Sequence, residues 1–293
     1  MAKKDGFFHS EFFHNFVRSP GAMAGLVIVL FFLIMAVFGP LFTPQNPYDI
    51  GTLDLMDAYK PPIWMEGGDP AFILGTDEQG RDMLSAIVYG SRISLFISVI
   101  VVALSCVFGT VLGLIAGYFG GRLDSILMRI VDIQLSFPAM LVALFIMAAF
   151  GRGFGKLVAA LTIVGWVLYA RTVRSSVLVE KKKEYVDAAR LIGLSPFPII
   201  VRHVLPNVLT PLIVIATIQV GTVILTEATL SYLGVGVPVT RPSLGLLVKN
   251  GYDVLFSGLW WSSVFPGMFI MLLVFGINLL GDFLRDEFNP RLK

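Results

Sequence analysis

Six stretches of this chain are too long and too apolar for the core of an ordinary soluble domain. They run at about 22–42, 92–118, 125–150, 157–178, 208–233 and 260–284. A helix needs roughly 20 mostly apolar residues to cross the hydrocarbon of a bilayer. Only helices or closed barrels satisfy their backbone polar groups there. Composition agrees: 56% of the residues are hydrophobic and 14% are charged, where a soluble domain carries about 25% charged residues. The expected fold is therefore an all-α polytopic membrane protein with six transmembrane helices. The second run is long enough to tilt or protrude. The fourth is the weakest, because Arg171 and Arg174 shorten its apolar part. The first ends in "FGPLFTP" without a small-x-small cleavage site, so it reads as an uncleaved span. Cys106 is the one cysteine, which excludes an intrachain disulfide, and it reads as a buried small hydrophobe.

The basic residues orient the spans, since cytoplasmic loops carry the excess of Lys and Arg. The tail has Lys3, Lys4 and Arg18. The second-to-third connection has Arg122 and Arg129. The fourth-to-fifth has Arg171, Arg174, Lys181, Lys182, Lys183, Arg190 and Arg202, and the C-terminus has Arg285, Arg291 and Lys293. In a six-span arrangement these fall on one side and hold 15 of the 22 basic residues. Both termini and the 181–207 connection are expected in the cytoplasm. The loop at about 43–91 has only Lys60 and Arg81 against eight acids, and belongs outside. The chain divides into a 1–21 tail, a 22–42 first span, the 43–91 loop, a five-helix core at 92–284 and a 285–293 tail. Met83, Leu84, Ile87 and Val88 recur at helical spacing near the end of the outer loop, which predicts an amphipathic elbow helix, lying on the outer surface or packed on the bundle.

Between the fourth and fifth spans lies "KKKEYVDAARLIGLSPFPIIVRHVLPN", Lys181 to Asn207. Glu184 to Ile192 reads as a short helix with Tyr185, Ala188, Ala189 and Ile192 on one face. The two alanines would let another surface approach its backbone. Gly193 suits the left-handed residue that ends a helix. Ser195-Pro196 offers an N-cap and a first-turn proline for a second short helix, expected to run to about His203 and stop before Leu205-Pro206. The stretch thus predicts a stiff cytoplasmic knob of two helices set at an angle. Lys181 to Lys183 are read as residues that only hold it inside.

The series Asp187-Ala188-Ala189, Gly193, Leu205-Pro206 resembles the "EAA…G…LP" loop of the permease subunits of bacterial ABC importers. Asp187 stands where Glu is common, and His203 where Ile is usual. "RHVLPN", "LGTDEQGRDMLS" (Leu74–Ser85), "YGSRISL" (Tyr89–Leu95), "SPGAMAGLVIV" (Ser19–Val29) and "LTEATLSYLGVGVP" (Leu225–Pro238) resemble the dipeptide, oligopeptide and nickel branch of that family, and its second, C-type permease in particular. The resemblance implies a type I importer transmembrane domain in the bacterial inner membrane that forms half of a translocation path. It implies coupling to ATPase subunits through Tyr185, Asp187, Ala188, Ala189, Arg190, Gly193, Leu194, Ser195, Arg202, His203, Leu205 and Pro206. The implied partners are a second homologous permease, two ATPase subunits, an extracytoplasmic substrate-binding protein and the lipid bilayer, with no nucleic acid. ATP and magnesium would sit on the ATPase subunits. Dipeptides or oligopeptides are the expected cargo, with nickel chelates, glutathione and antimicrobial peptides as alternatives in the same branch.

The residues themselves show no chemistry of their own. "GRGFGKL" at Gly151–Leu157 lacks the glycine spacing and the Ser/Thr of a phosphate loop. No H-E-x-x-H or G-x-S-x-G occurs, and His9 and His14 share no ligand face. This chain is expected to be no enzyme and to bind no cofactor. Nearly charge-free span centres disfavour a self-sufficient secondary transporter, which needs a coupling-ion site at mid-membrane. Glu227, toward the outer end of the fifth span, reads as a residue that lines the pathway or pairs with a polar group of the partner permease. Arg129 with Asp132 and Asp282 with Arg285 read as local ion pairs. Ser136-Phe137-Pro138 predicts a kink in the third span. Gly109, Gly113 and Gly117 predict a close helix contact.

Overall fold

The computed structural model describes residues 11–49, 51 and 53–288. Lys3, Lys4, His9, Arg291 and Lys293 lie outside the described residues. Among those described, the chain is all helix apart from turns and one isolated bridge, Thr76 to Asp82. Eleven α-helices follow one another: α1 (Glu11–Arg18), α2 (Pro20–Phe42), α3 (Met83–Phe119), α4 (Gly121–Leu135), α5 (Ala139–Phe150), α6 (Phe154–Glu180), α7 (Glu184–Leu191), α8 (Pro196–Ile199), α9 (Leu205–Tyr232), α10 (Leu244–Asp253) and α11 (Trp261–Glu287). Five helical stretches are long and apolar enough to cross a membrane, and the bent pair α4–α5 makes six where it is one broken span.

That pair departs most from a rod. A kink was expected at Ser136-Phe137-Pro138, but the chain turns by 87° there. Pro138 cannot continue the hydrogen-bond ladder and starts α5 instead. The α5 helix has 12 residues, too short to cross alone. Asp124 of α4 is tied to α6 by Arg174, whose Nε and Nη2 donate at 2.5 and 2.7 Å. The expected Arg129–Asp132 pair does not form among the described residues, while Arg285 does meet Asp282 at 3.5 Å.

Glycine sets the central packing. Seen from α3, a Cβ on Gly109 would meet the Trp166 carbonyl at 2.5 Å, one on Gly113 the Ala170 carbonyl at 2.6 Å, and one on Gly117 the Val177 Cβ at 2.8 Å. The three glycines let α3 and α6 touch backbone to side chain along three turns, as their spacing predicts. Ile97, Val101, Met147, Leu157, Leu161 and Leu230 fill the core between α3, α5, α6 and α9. Phe32, Leu95, Ile224, Leu273 and Ile277 join α2 and α11 to it. Val27, Phe31, Ile34 and Phe38 cover the outer side of α2 and are exposed, a surface for hydrocarbon or for another apolar helix rather than for water.

One sequence expectation changes at the end of the bundle formed by the 43–82 loop. No separate elbow helix forms. Met83, Ile87 and Val88 belong to α3 itself and are buried, Met83 and Ile87 against Leu244 and Leu247 of α10. The amphipathic spacing was real, but its apolar side is covered by α10, which lies between the fifth and sixth expected spans. The 43–82 loop is also ordered by its two cations. Lys60 bridges Asp57 and Asp69 at 2.7 and 2.8 Å. Arg81, itself buried, donates to Asp77 at 2.6 Å. Asp82 caps α3, accepting from the Ser85 backbone at 2.8 Å.

Candidate functional site

The 181–207 connection lies at the opposite end, where α3 and α6 finish and α9 begins. The Gly193 turn is built as expected: φ is +83°, Gly193 N–H donates to the Arg190 carbonyl at 3.0 Å and Leu194 N–H to the Ala189 carbonyl at 3.2 Å. This double bond from the two residues past the helix satisfies carbonyls that α7 would otherwise leave open. Ser195 holds the N-cap position of α8, though its side chain makes no capping bond.

The second half differs from expectation. The helix begun at Pro196 does not stop before Leu205-Pro206. It runs on through one widened turn, in which Leu205 N–H donates to the Ile200 carbonyl five residues back, and becomes α9. Pro206 has no N–H for the Arg202 carbonyl, and its ring crowds the preceding turn. Widening by one residue absorbs both effects without a break. The knob is therefore one free helix, α7, turned onto an extension of the fifth span, and Pro196–Tyr232 form one 37-residue stretch.

The packing of α7 also differs in detail. Tyr185, Ala188, Ala189 and Ile192 were expected to share one face, with the two alanines open to another surface. Val186 and Ala189 are the residues buried, in one cluster with Ile199, Val204, Val208 and Leu212, with Val173 and Val177 of α6, and with Leu114 of α3. Ala188 is exposed. Leu191, Ile192 and Phe197 are 88%, 77% and 74% exposed, a cluster of apolar side chains at the tip. Leu191 and Phe197 were not among the sequence candidates. Nothing inside the chain explains an apolar residue kept at a tip, and that mismatch was the available signal.

Polar contacts tie the base of the knob down. Tyr185 donates its hydroxyl to Glu180, and Asn207 Nδ2 donates to that hydroxyl at 3.2 Å and to the His203 carbonyl at 2.8 Å. Partial burial and the Glu180 bond push the Tyr185 phenol up to about 12. Asp187 accepts from Arg190 at 2.9 Å, and the Arg190 guanidinium sits 5.7 Å from the Tyr118 ring centre. Lys181 Nζ donates to the Gly117 carbonyl at 2.7 Å, at the open C-terminal end of α3, and Lys183 pairs with Glu180 at 2.8 Å. Two of the three lysines thus have specific partners, which corrects their reading as mere topology signals. Arg202, Leu194 and Pro206 are exposed, and His203 and Leu205 are half-buried.

Glu227 is buried between α3 and α9. It is 0% exposed, accepting from Ser94 Oγ and Ser231 Oγ at 2.7 Å each. It pins α9 to α3 as an internal polar bridge. Among the described residues no group of His, Cys, Asp and Glu is placed to hold a metal.

An all-helical membrane domain whose span α9 extends into a braced, apolar-tipped knob is the build of a transporter's transmembrane domain. The chain belongs to the family of binding-protein-dependent transport system inner membrane components, whose model matches residues 109–293. A second model, the N-terminal TM domain of oligopeptide transport permease C, matches residues 8–62. The dipeptide transport system permease protein DppC of Haemophilus influenzae is 38% identical, covering 97% of this chain and 95% of its own length. DppC of Escherichia coli K12 is 43% identical over 97% of this chain and 93% of its own. The oligopeptide transport system permease protein OppC of Bacillus subtilis is 39% identical over 93% and 86%. Two inward-facing crystal forms of the MetNI methionine ABC transporter share the fold, with TM-scores of 0.56 and 0.52 at 22% and 24% identity, covering 68% of this chain and 94% of theirs.

Proposed function

We propose that this chain forms one half of the translocation path of an ATP-driven, binding-protein-dependent importer of dipeptides or oligopeptides in the bacterial inner membrane. It does no bond chemistry itself. A second homologous permease completes the path, two ATPase subunits bind ATP and magnesium, and a binding protein delivers peptide to the 43–82 end. The distribution of Lys and Arg favours cytoplasmic termini and a cytoplasmic knob. The names of the relatives favour peptides as cargo.

The observation that carries this reading is the exposed cluster Leu191, Ile192 and Phe197 on a knob whose base is buried in α3, α6 and α9. An apolar centre with a rim of Asp187, Arg190 and Arg202 has the composition of a protein interface. Its bracing decides what docking can do. Val186, Ile199 and Val204 are packed solid with Val177 and Val208, so a push on the tip moves the ends of α6 and α9 rather than bending a loop. Closing of the ATPase pair would then rock the spans from inward- to outward-open, and hydrolysis would reset them. The test is co-purification with co-expressed ATPase subunits. Ile192→Asp with Phe197→Asp should lose them, while Met56→Asp, equally exposed at the far end, should keep them. Retention by the knob variant at the wild-type level would end this reading.

A further inference from the structure

At the end opposite the knob is a cavity of about 280 Å³ that the knob mechanism does not use. Arg92 and Phe96, one helical turn apart on α3, line one wall. Phe154, at the start of α6, stacks on Phe96 with ring centres 5.9 Å apart. Pro238 and Arg241 come from the segment after α9, and Tyr48 from the segment after α2. The Tyr48 ring is fixed edge-on to Tyr89, and its hydroxyl donates to the Tyr89 carbonyl at 3.3 Å.

The two arginines stand out by contrast with their neighbours. Lys60 and Arg81, the cations of the adjoining loop, are both paired with acids. Arg92 and Arg241 make no ion pair and no side-chain hydrogen bond among the described residues. The groups that act on the Tyr48 hydroxyl are Arg241, Arg92, Tyr89 and Arg81, with no carboxylate among them. A small cavity thus joins two free guanidinium forks to an aromatic floor. The fork matches a carboxylate with paired hydrogen bonds, and the floor suits an apolar body beside it. The volume sits at the lower limit for ligand pockets, roughly 300 Å³, which is room for the end of a ligand rather than the whole of one.

We propose that this cavity is an entry subsite for the C-terminal residue of a peptide, with Arg92 and Arg241 on its carboxylate and Phe96 and Phe154 against its side chain. The assignment rests on the peptide-import reading above. An anion attached to an apolar body also describes an acidic phospholipid, so the experiment separates the two sources.

The complete permease–ATPase complex is placed in phosphatidylcholine nanodiscs without the binding protein, whose own selectivity would intrude. Equilibrium binding is measured for tritiated Ala-Phe and for its C-terminal amide. The free acid should bind about tenfold or more tightly than the amide, since charge-assisted bonds are lost with the carboxylate. Arg92→Gln with Arg241→Gln should remove that difference, and Arg241→Lys should fall between. Equal binding of acid and amide, or unchanged acid binding in the double variant, overturns the assignment. So does loss of acid binding when phosphatidylglycerol is added, together with phosphatidylglycerol retained by wild type and not by the double variant; the occupant is then a headgroup. ATP-driven uptake of Ala-Phe with the binding protein present separates the two levels. Uptake that ignores both arginines sinks the subsite alone, and absence of any peptide uptake sinks the import reading with it.

Discussion

Gly193→Val is the most informative single change in the knob. Gly193 sits at φ +83°, and a Cβ built there meets nothing within 4 Å. No clash contributes, so the cost is that of the backbone alone. The left-handed conformation costs a residue with a Cβ about 1–2 kcal/mol, and β-branching places valine at the upper end. The turn is held by the bonds from Gly193 to Arg190 and from Leu194 to Ala189, each contributing about 0.5–1.5 kcal/mol. Strain and bonding are therefore of similar size, and the turn opens in a substantial fraction of molecules. The buried pins Val186, Ala189, Ile199 and Val204 are untouched, so the protein still folds and inserts. The assay is peptide uptake per ATP hydrolysed in reconstituted complex. Gly193→Val should lower uptake about tenfold, the equivalent of 1.4 kcal/mol, while hydrolysis continues. Gly193→Asn should stay near wild type, because asparagine tolerates this conformation. Wild-type coupling in the valine variant, or an asparagine variant as defective as valine, would refute the reasoning.

Gly113→Ala should lower the unfolding midpoint in detergent, since its Cβ would lie 2.6 Å from the Ala170 carbonyl and 2.7 Å from the Val173 Cβ; overpacking of this kind costs about 1–3 kcal/mol. Gly267→Ala, with open space around it, should leave the midpoint unchanged. Glu227→Ala strands the Ser94 and Ser231 hydroxyls and should cost about 1–3 kcal/mol, whereas Glu227→Gln, which can still bond both, should be mild; altered transport in the glutamine variant at unchanged stability would return Glu227 to the pathway. Tyr185 should ionise near pH 12 rather than 10. Its folded value is raised, so the Glu180 contact is fully present below the ordinary tyrosine value and is lost as pH rises through about 12. Ultraviolet titration of wild type minus Tyr185→Phe isolates that step, and a difference step at pH 10 would contradict it.

The spans were legible because hydrocarbon tolerates few alternatives. Long apolar runs mark helices, and the small-residue spacing of Gly109, Gly113 and Gly117 marks a close helix contact, though not that its partner is α6. The Gly193 turn was legible because its chemistry is local. Three features were not. The run of helix through Pro206 depends on a one-residue widening that propensity does not encode. The burial of Met83 and Ile87 depends on α10, more than 150 residues away in sequence. The polar bridge at Glu227 depends on Ser94, 133 residues earlier. Each turns on long-range placement, which a pattern along the chain does not contain. The tip of the knob is the intermediate case: Leu191, Ile192 and Phe197 are plain in the sequence, but their exposure is not.

The central claim is that this tip meets an ATPase. The most direct measurement begins with Cys106→Ala, which removes the one native cysteine. A benzophenone is then carried on Ile192→Cys or Phe197→Cys, or on Met56→Cys at the far end. After illumination of the assembled complex, an adduct with the ATPase subunit should form from positions 192 and 197, with a yield that changes when ATP is bound, and none should form from position 56. No adduct from either knob position, or an ATPase adduct from position 56, would contradict the account.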